Sequence, residues 1–244
     1  MDWLVSNESL PLRIAVGVVI LAIFAVSELR ERGWRDARRW REYAFLVASV
    51  ALAIAYGITN DLITSRISPE YFLFFKGAAE RVSNEAAANP ALHRGELDLQ
   101  AIRIGTLATW SAGLIGAALL LTANSIGNWP RPSLRRLARY VALMFALAIV
   151  GAVALGIIGY RGGLTWTSGD FAEMVANDEM RPHRLMCTYG IHLGGYLGAL
   201  LGLLIGIARV LIVRRRRARD AASGFDALVP LDRPTDALLE VDDR

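Results

Sequence analysis

The chain has 244 residues, of which 54% are hydrophobic, and its formal net charge is +4 at pH 7. This hydrophobic content is high for a soluble domain of this length and predicts a polytopic membrane protein. The charge comes almost entirely from arginines beside apolar segments, with Lys76 as the only lysine, a distribution typical of topology signals and not of nucleic-acid binding. The single cysteine, Cys187, excludes an internal disulfide.

Five apolar segments predict transmembrane helices, at about residues 10–26, 43–64, 105–123, 140–159 and 185–213. The first is predicted to be retained, because no small-residue cleavage site follows it. In lipid, only helices and closed barrels satisfy every backbone group. These segments are longer and more continuously apolar than barrel strands of about ten residues. The sequence therefore predicts an all-α membrane helix bundle formed by residues 1–213.

Arginine distribution predicts the topology of this bundle. Residues 29–42, residues 124–139 and the segment beginning at Arg214 are rich in arginine, whereas the other two connections, 65–104 and 160–184, are poorer in basic residues. Cytoplasmic loops carry the excess of basic residues. The N-terminus is therefore expected outside and the C-terminus inside, which requires an odd number of spans.

The segments outside the spans also give expectations. Ser68-Pro69-Glu70 is a helix start, so the outer connection 65–104 is predicted to be partly helical, with the aromatic residues of 71–75 at the membrane surface. A short interfacial helix is expected at 168–175. Residues 214–244 are predicted to form a disordered cytoplasmic tail, because they are rich in acidic residues and lack apolar periodicity.

Small residues recur every fourth position in the last span, at Gly190, Gly194, Gly198, Gly202 and Gly206. Such a stripe lets another helix approach closely in lipid. The partner is either a helix of the same chain, or another membrane subunit or a second copy of the chain. The sequence leaves both interpretations open.

Polar residues converge on the predicted outer end of the second and fifth spans. Ionisable groups at membrane depth usually face a protein interior, a cavity or a partner. The predicted ligand-binding residues are Tyr56, Asp61, Thr64, Glu70, Arg184, His192 and Tyr196. Arg181 or Arg184 is the expected cation beside Asp61, and Arg66 and Glu70 have the spacing of an ion pair.

Metal or cofactor binding is left open by the sequence. His183 and His192 are nine residues apart and lie on opposite faces of one helix, so that helix alone does not offer both to one metal. Glu179, His183 and Cys187 have a ligand-like spacing, but Pro182 interrupts it and Cys187 is more typical of an inert apolar side chain.

The segment from Tyr56-Gly57 through Asp61 and Thr64 to Glu70-Tyr71-Phe72 resembles one that recurs in uncharacterised bacterial multi-pass membrane proteins. Asn60 replaces a histidine of that pattern, so a ligand or base role of that histidine does not carry over. The resemblance covers under a tenth of the chain. It implies a bacterial inner-membrane protein and no known activity.

Three functions remain in competition. A non-enzymatic accessory or scaffold subunit is favoured by the glycine stripe and by the absence of standard catalytic motifs; no catalytic residue is assigned. A ligand, metal or haem site between the second and fifth spans is favoured by the polar residues. A carrier for a small molecule or proton is the third, although the chain has no detectable internal repeat.

Overall fold

The computed structural model describes residues 38–127, 129–164 and 182–228, together with four isolated positions, 19, 22, 26 and 30. These residues form helices and connections without a β-strand. In chain order the elements are α1 (Arg38–Ile67), a π-helical turn (Tyr71–Phe75), a 3₁₀ turn (Ala79–Arg81), α2 (Asn84–Ala88), α3 (Arg94–Ala123), α4 (Leu134–Tyr160) and α5 (Pro182–Leu228).

Four of the described helices are long and apolar enough to cross a membrane: Trp40–Ile67, Arg94–Ala123, Leu134–Tyr160 and Pro182–Asp220. They correspond to the second to fifth predicted spans, and they give the chain the character of an all-α membrane protein. The first predicted span, 10–26, and the interfacial helix predicted at 168–175 lie outside the described residues. Five spans and an outside N-terminus therefore remain predictions. Below, the inner end is the arginine-rich end of the bundle, and the outer end is the opposite one.

The four long helices form two closely packed pairs, α1 with α3 and α4 with α5, and contacts between the pairs are much sparser. Glycines make both pairs close. A methyl group on Gly57 in α1 would overlap the backbone of Gly105 in α3, and one on Gly105 would overlap Gly57 in turn. The two backbones therefore touch directly, as small residues allow in membrane helices.

The glycine stripe of α5 packs against α4. Methyl groups at Gly190, Gly194 and Gly198 would overlap carbonyl oxygens of α4, and those at Gly202 and Gly206 would crowd Met144 and Tyr140 of the same helix. Of the two interpretations given by the sequence, the described structure uses the stripe within one chain.

The substitution Gly194→Ala tests this close approach. We expect it to destabilise the protein by about 1–3 kcal/mol, because the added methyl group must displace the Gly151 backbone of α4. The measurement is the thermal unfolding midpoint of the purified full chain in mild detergent. Gly95→Ala is the matched control, since nothing surrounds that helical position and alanine is the better helix former. Equal midpoints for the two variants would contradict the packing.

Arg214, which is 0% exposed, links α5 to the end of α3 at the inner end of the bundle. Its guanidinium donates hydrogen bonds to the carbonyl oxygens of Ala123 at 2.7 Å, Trp129 at 3.1 Å and Gly127 at 3.3 Å. Ala123 is the last residue of α3, so the cation sits at the negative end of that helix.

This arrangement adds to one expectation from the sequence and corrects another. Arg214 begins the arginine-rich segment used to predict the topology, and it is also a buried cap that ties α5 to the α3–α4 connection. The tail predicted to be disordered from Arg214 is helical as far as Leu228. Residues 229–244 lie outside the described part of the chain.

Arg214→Met should lower stability by about 2 kcal/mol, because hydrogen bonds to a charged group contribute about 1.5–3 kcal/mol. Arg216→Met is the control, since Arg216 is exposed on the same helix. The thermal unfolding midpoints of both variants in lipid bicelles check the prediction. If both midpoints match the wild type, the cap does not stabilise the bundle.

Candidate functional site

The outer connection turns back into the bundle directly after α1. The Ser68 hydroxyl oxygen accepts a hydrogen bond from the Tyr71 backbone N–H at 3.3 Å, and the hydroxyl donates to the Glu70 carboxylate at 2.9 Å. This turn starts the π-helical segment, in which Tyr71 and Phe72 are 7% and 0% exposed. The expectation that the aromatic residues face the membrane surface is wrong for these two, because they pack into the core. Of the four aromatic residues in 71–75, Phe74 is exposed and Phe75 is half-buried.

A polar cluster lies where this segment meets α1 and α5. Asp61 and His192 are 4% and 5% exposed, and the Asp61 Oδ1 to His192 Nδ1 distance is 3.8 Å. Asn60 Nδ2 is 3.4 Å from His192 Nδ1, and Thr64 Oγ1 is 3.3 Å from His192 Nε2. Two helices from different pairs therefore meet through polar side chains in a buried setting.

The hydrogen-bond geometry indicates a neutral His192 with its proton on Nε2. The Thr64 hydroxyl donates to the Asn60 carbonyl oxygen at 2.8 Å, so its oxygen accepts from His192 Nε2–H. Nδ1 then accepts from the Asn60 amide. The Asp61 Oδ2 atom has no hydrogen-bond partner among the described residues. A buried carboxylate oxygen without a partner is costly, so this cluster has capacity to take up a proton or a donor.

Aromatic rings fix the orientation of His192. The Tyr71 ring stacks on the imidazole, with centroids 5.1 Å apart and planes 14° apart, and Phe72 approaches edge-on at 6.2 Å. The Lys76 ammonium lies 5.7 Å from the Tyr71 ring centroid, within cation–π range. Lys76 also interacts electrostatically with Asp61. Burial of Lys76 lowers the pKa of its ammonium, and the Asp61 carboxylate partly opposes that shift.

The single lysine gives a direct measurement of this environment. Reductive methylation with ¹³C-formaldehyde labels Lys76 and the terminal amine, which differ in pKa and NMR shift. We expect Lys76 to titrate below its ordinary pKa of 10.5, and Asp61→Asn to lower that pKa further by removing the stabilising carboxylate. Asp98→Asn is the control, because Asp98 pairs with Arg66 at the same end of the bundle.

The sign of the stability effect follows from the same shift. Between the folded and unfolded pKa values of Lys76 the unfolded chain binds more protons, so the free energy of unfolding should rise as pH rises through that window. A Lys76 midpoint at or above 10.5, or an upward shift in Asp61→Asn, would contradict this electrostatic arrangement.

An apolar cavity of about 490 Å³ adjoins the cluster, between α1, α4 and α5. Asn60 belongs to both the cavity wall and the polar cluster. Tyr56 also lines the cavity, and its ring contacts Phe145 with centroids 5.8 Å apart. The full lining is Tyr56, Thr59, Asn60, Ile63, Ile149, Ala152, Val153, Gly156, Ile157, Cys187 and Ile191.

Glu70 and Arg184 lie apart from this cluster. Both line a separate polar cavity of about 300 Å³ at the outer end. Arg66 pairs there with Asp98 at 2.9 Å, so the expected Arg66–Glu70 pair is wrong. The expected Asp61–Arg184 pair is absent from the described contacts, and Arg181 lies outside the described residues.

The other residues proposed from the sequence fall at different distances from His192. Asp61 and Thr64 contact it directly. Tyr196, one turn along α5, is 50% exposed and interacts electrostatically with Asp61. Tyr56 lines the adjoining cavity.

Sequence reasoning missed three members of the site, Asn60, Tyr71 and Lys76. One signal was available: Lys76 is the only lysine among 27 Lys and Arg residues, so something other than topology favours it at that position. Tyr71 gave no such signal, because a Tyr-Phe-Leu-Phe-Phe run also suits a membrane surface. Asn60 is not among the predicted ligand-binding residues, since it stands where the resembling segment has a histidine.

Within the described residues, no group of three or more His, Cys, Asp or Glu side chains is arranged to hold a metal ion. The metal and haem alternatives therefore gain no support from this part of the chain. No family model matches the sequence, and the searches of curated proteins and of solved structures found no similar protein.

Proposed function

We propose that this chain is an integral membrane protein that binds a lipid-soluble small molecule with a hydrogen-bond-accepting polar group, in the outer half of the bundle. One observation carries the proposal: Asn60 lines the apolar cavity while its amide lies 3.4 Å from Nδ1 of buried His192. A molecule entering the cavity therefore reaches the polar cluster through a single side chain.

The cavity matches an apolar molecule with one polar end. Its volume of about 490 Å³ lies within the range of about 300–1,000 Å³ typical of small-molecule sites. Ile149, Val153 and Ile157 provide apolar walls on α4, and these side chains are exposed to the surrounding lipid. Entry from the bilayer follows from that exposure. Tyr56 and Asn60 supply hydrogen-bonding groups on α1.

Ligand binding at Asn60 is expected to change the protonation of the cluster. An accepting oxygen on the ligand that turns the Asn60 amide toward the cavity removes the hydrogen bond that His192 Nδ1 now accepts from it. The nearest charged group to Nδ1 is the Asp61 carboxylate, at 3.8 Å. A proton shared between Asp61 and His192 satisfies both groups once Asn60 turns to the ligand, so we infer that binding is accompanied by proton uptake.

Ligand co-purification tests this function. The full chain is extracted from its own membrane into lipid nanodiscs, and bound molecules are identified by mass spectrometry. We expect Val153→Trp to reduce the amount of the specific co-purified molecule at least tenfold, because the larger indole fills part of the cavity that Val153 lines. Val150→Trp is the matched control; Val150 is 62% exposed on the same helix and does not line the cavity, whereas Val153 is 56% exposed.

Asn60→Leu separates the polar contact from the apolar one. It should lower retention of the same molecule and abolish the proton uptake measured on adding the extracted molecule back to delipidated protein. Equal retention by the wild type, Val153→Trp and Asn60→Leu would exclude the cavity as the binding site.

The other two candidate functions are supported by fewer observations. An accessory or scaffold subunit was suggested mainly by the glycine stripe, which α4 occupies in the described structure. A proton or small-molecule carrier shares the Asp61–His192 pair with the proposed site, and no second polar cluster of this kind is described farther along the α1–α5 interface.

A further inference from the structure

A cavity of about 470 Å³ lies at the inner end, between the start of α1 and the connection from α3 to α4. Its lining comprises Arg41, Glu42, Asn124, Arg131, Pro132, Ser133, Leu134 and Arg135. The three arginines are exposed and outnumber the single acidic residue. None of these residues belongs to the outer site, so the cavity needs a separate explanation.

The N-terminus of α4 contributes to the same cavity. The first amides of a helix have no intrahelical acceptor, and the Ser133 side chain at the cap position accepts none of them. Arg135 is in the first turn of α4 and lines the cavity. The helix dipole and the guanidinium groups therefore favour an anion at one position.

Asn124 requires a hydrogen-bond donor from an occupant of this cavity, whereas the arginines and the helix N-terminus favour an anion. Its side chain is almost fully buried, with the residue 3% exposed, and it lines the cavity. Nδ2 donates to the Pro132 carbonyl at 3.2 Å, which fixes the amide so that the remaining atom is the acceptor Oδ1. Oδ1 has no partner among the described residues. An occupant therefore needs anionic oxygens and also a hydrogen-bond donor.

We propose that this cavity binds the headgroup of a glycerophospholipid whose phosphodiester carries a hydroxyl or primary ammonium group. The phosphate lies among Arg41, Arg131 and Arg135, and the donor group reaches Asn124 Oδ1. Arginine suits phosphate recognition because its planar fork offers paired donors.

A membrane lipid fits this position better than free phosphate. Trp129, 36% exposed, follows α3 at the same end, where aromatic residues mark the headgroup level. The apolar residue Leu134 begins α4 at the cavity, and the helix continues into its hydrophobic span. Basic cavities between helices at the cytoplasmic face are a recognised setting for lipid headgroups.

Lipid titration of the delipidated full chain, followed by native mass spectrometry, tests the proposal. Phosphatidylglycerol, phosphatidylethanolamine and phosphatidylcholine with identical acyl chains are compared. All three carry the phosphate, but the choline group has no N–H or O–H donor. We expect the first two to bind about tenfold more tightly than phosphatidylcholine, a difference of about 1.4 kcal/mol.

Two variants separate the phosphate contact from the donor contact. Arg135→Gln should weaken binding of all three lipids about tenfold, whereas Arg139→Gln, exposed farther along α4 and outside the cavity lining, should not. Asn124→Leu should abolish the preference for donor-bearing lipids while leaving phosphatidylcholine binding unchanged. If Asn124→Leu does not fold, the comparison of the three lipids on the wild type still tests the donor contact, and the arginine variants still test the phosphate contact.

Three results would overturn the proposal. Equal binding of phosphatidylglycerol and phosphatidylcholine to the wild type shows that Asn124 does not accept a hydrogen bond from the headgroup. Equal effects of Arg135→Gln and Arg139→Gln on lipid binding exclude the cavity as the binding site. Displacement of the bound lipid by millimolar inorganic phosphate shows that the site binds free phosphate instead of a lipid headgroup.

Discussion

Direct backbone contact between glycine-bearing helices is the constraint on which this structure depends. Within α4–α5 and within α1–α3 the main chains touch at the glycines, so no ligand fits between the two helices of a pair at these contacts. Lipid offers no hydrophobic drive for helix association, and such close packing supplies the attraction instead. The polar cluster around His192 lies at the looser interface between the two pairs.

That interface is held by polar contacts at its two ends. His192 with Asp61 joins the pairs at the outer end, and Arg214 with the end of α3 joins them at the inner end. Residues 192 and 214 are about 33 Å apart along α5 at 1.5 Å per residue, close to the ~30 Å hydrocarbon core. The two polar joints are therefore separated along α5 by about the thickness of the apolar layer. The apolar cavity adjoins the outer joint, with Asn60 and Ile191 in its wall.

The sequence predicted the parts of this architecture that depend on periodicity and composition. Four of the five apolar segments are helices in the described structure. His192 and Asp61 are both among the seven predicted ligand-binding residues, because both are polar residues in apolar surroundings near one end, although the sequence predicts an arginine as the partner of Asp61. Such features are local, so the composition and helical periodicity of one segment are enough to predict them.

Other features depend on where distant segments meet, which local patterns do not encode. Tyr71 looked like a membrane-surface residue until the turn at Ser68 carried it onto His192. Arg214 looked like one of four equivalent topology charges, yet its burial depends on the end of α3, 91 residues away. Glu70 and Arg184 share the outer end with Asp61 but line a different cavity, because helical spacing gives a face and not a neighbour.

The length of α5 has a mechanical consequence. The helix is continuous from Pro182 to Leu228, so the outer site and the segment beyond Arg214 belong to one rod. Residues 192 and 228 are about 54 Å apart along that rod, and a tilt of about 5° at the outer site displaces the far end by about 5 Å. A small tilt of α5 at the outer end thereby becomes a displacement at its inner end comparable to the rise of one helical turn.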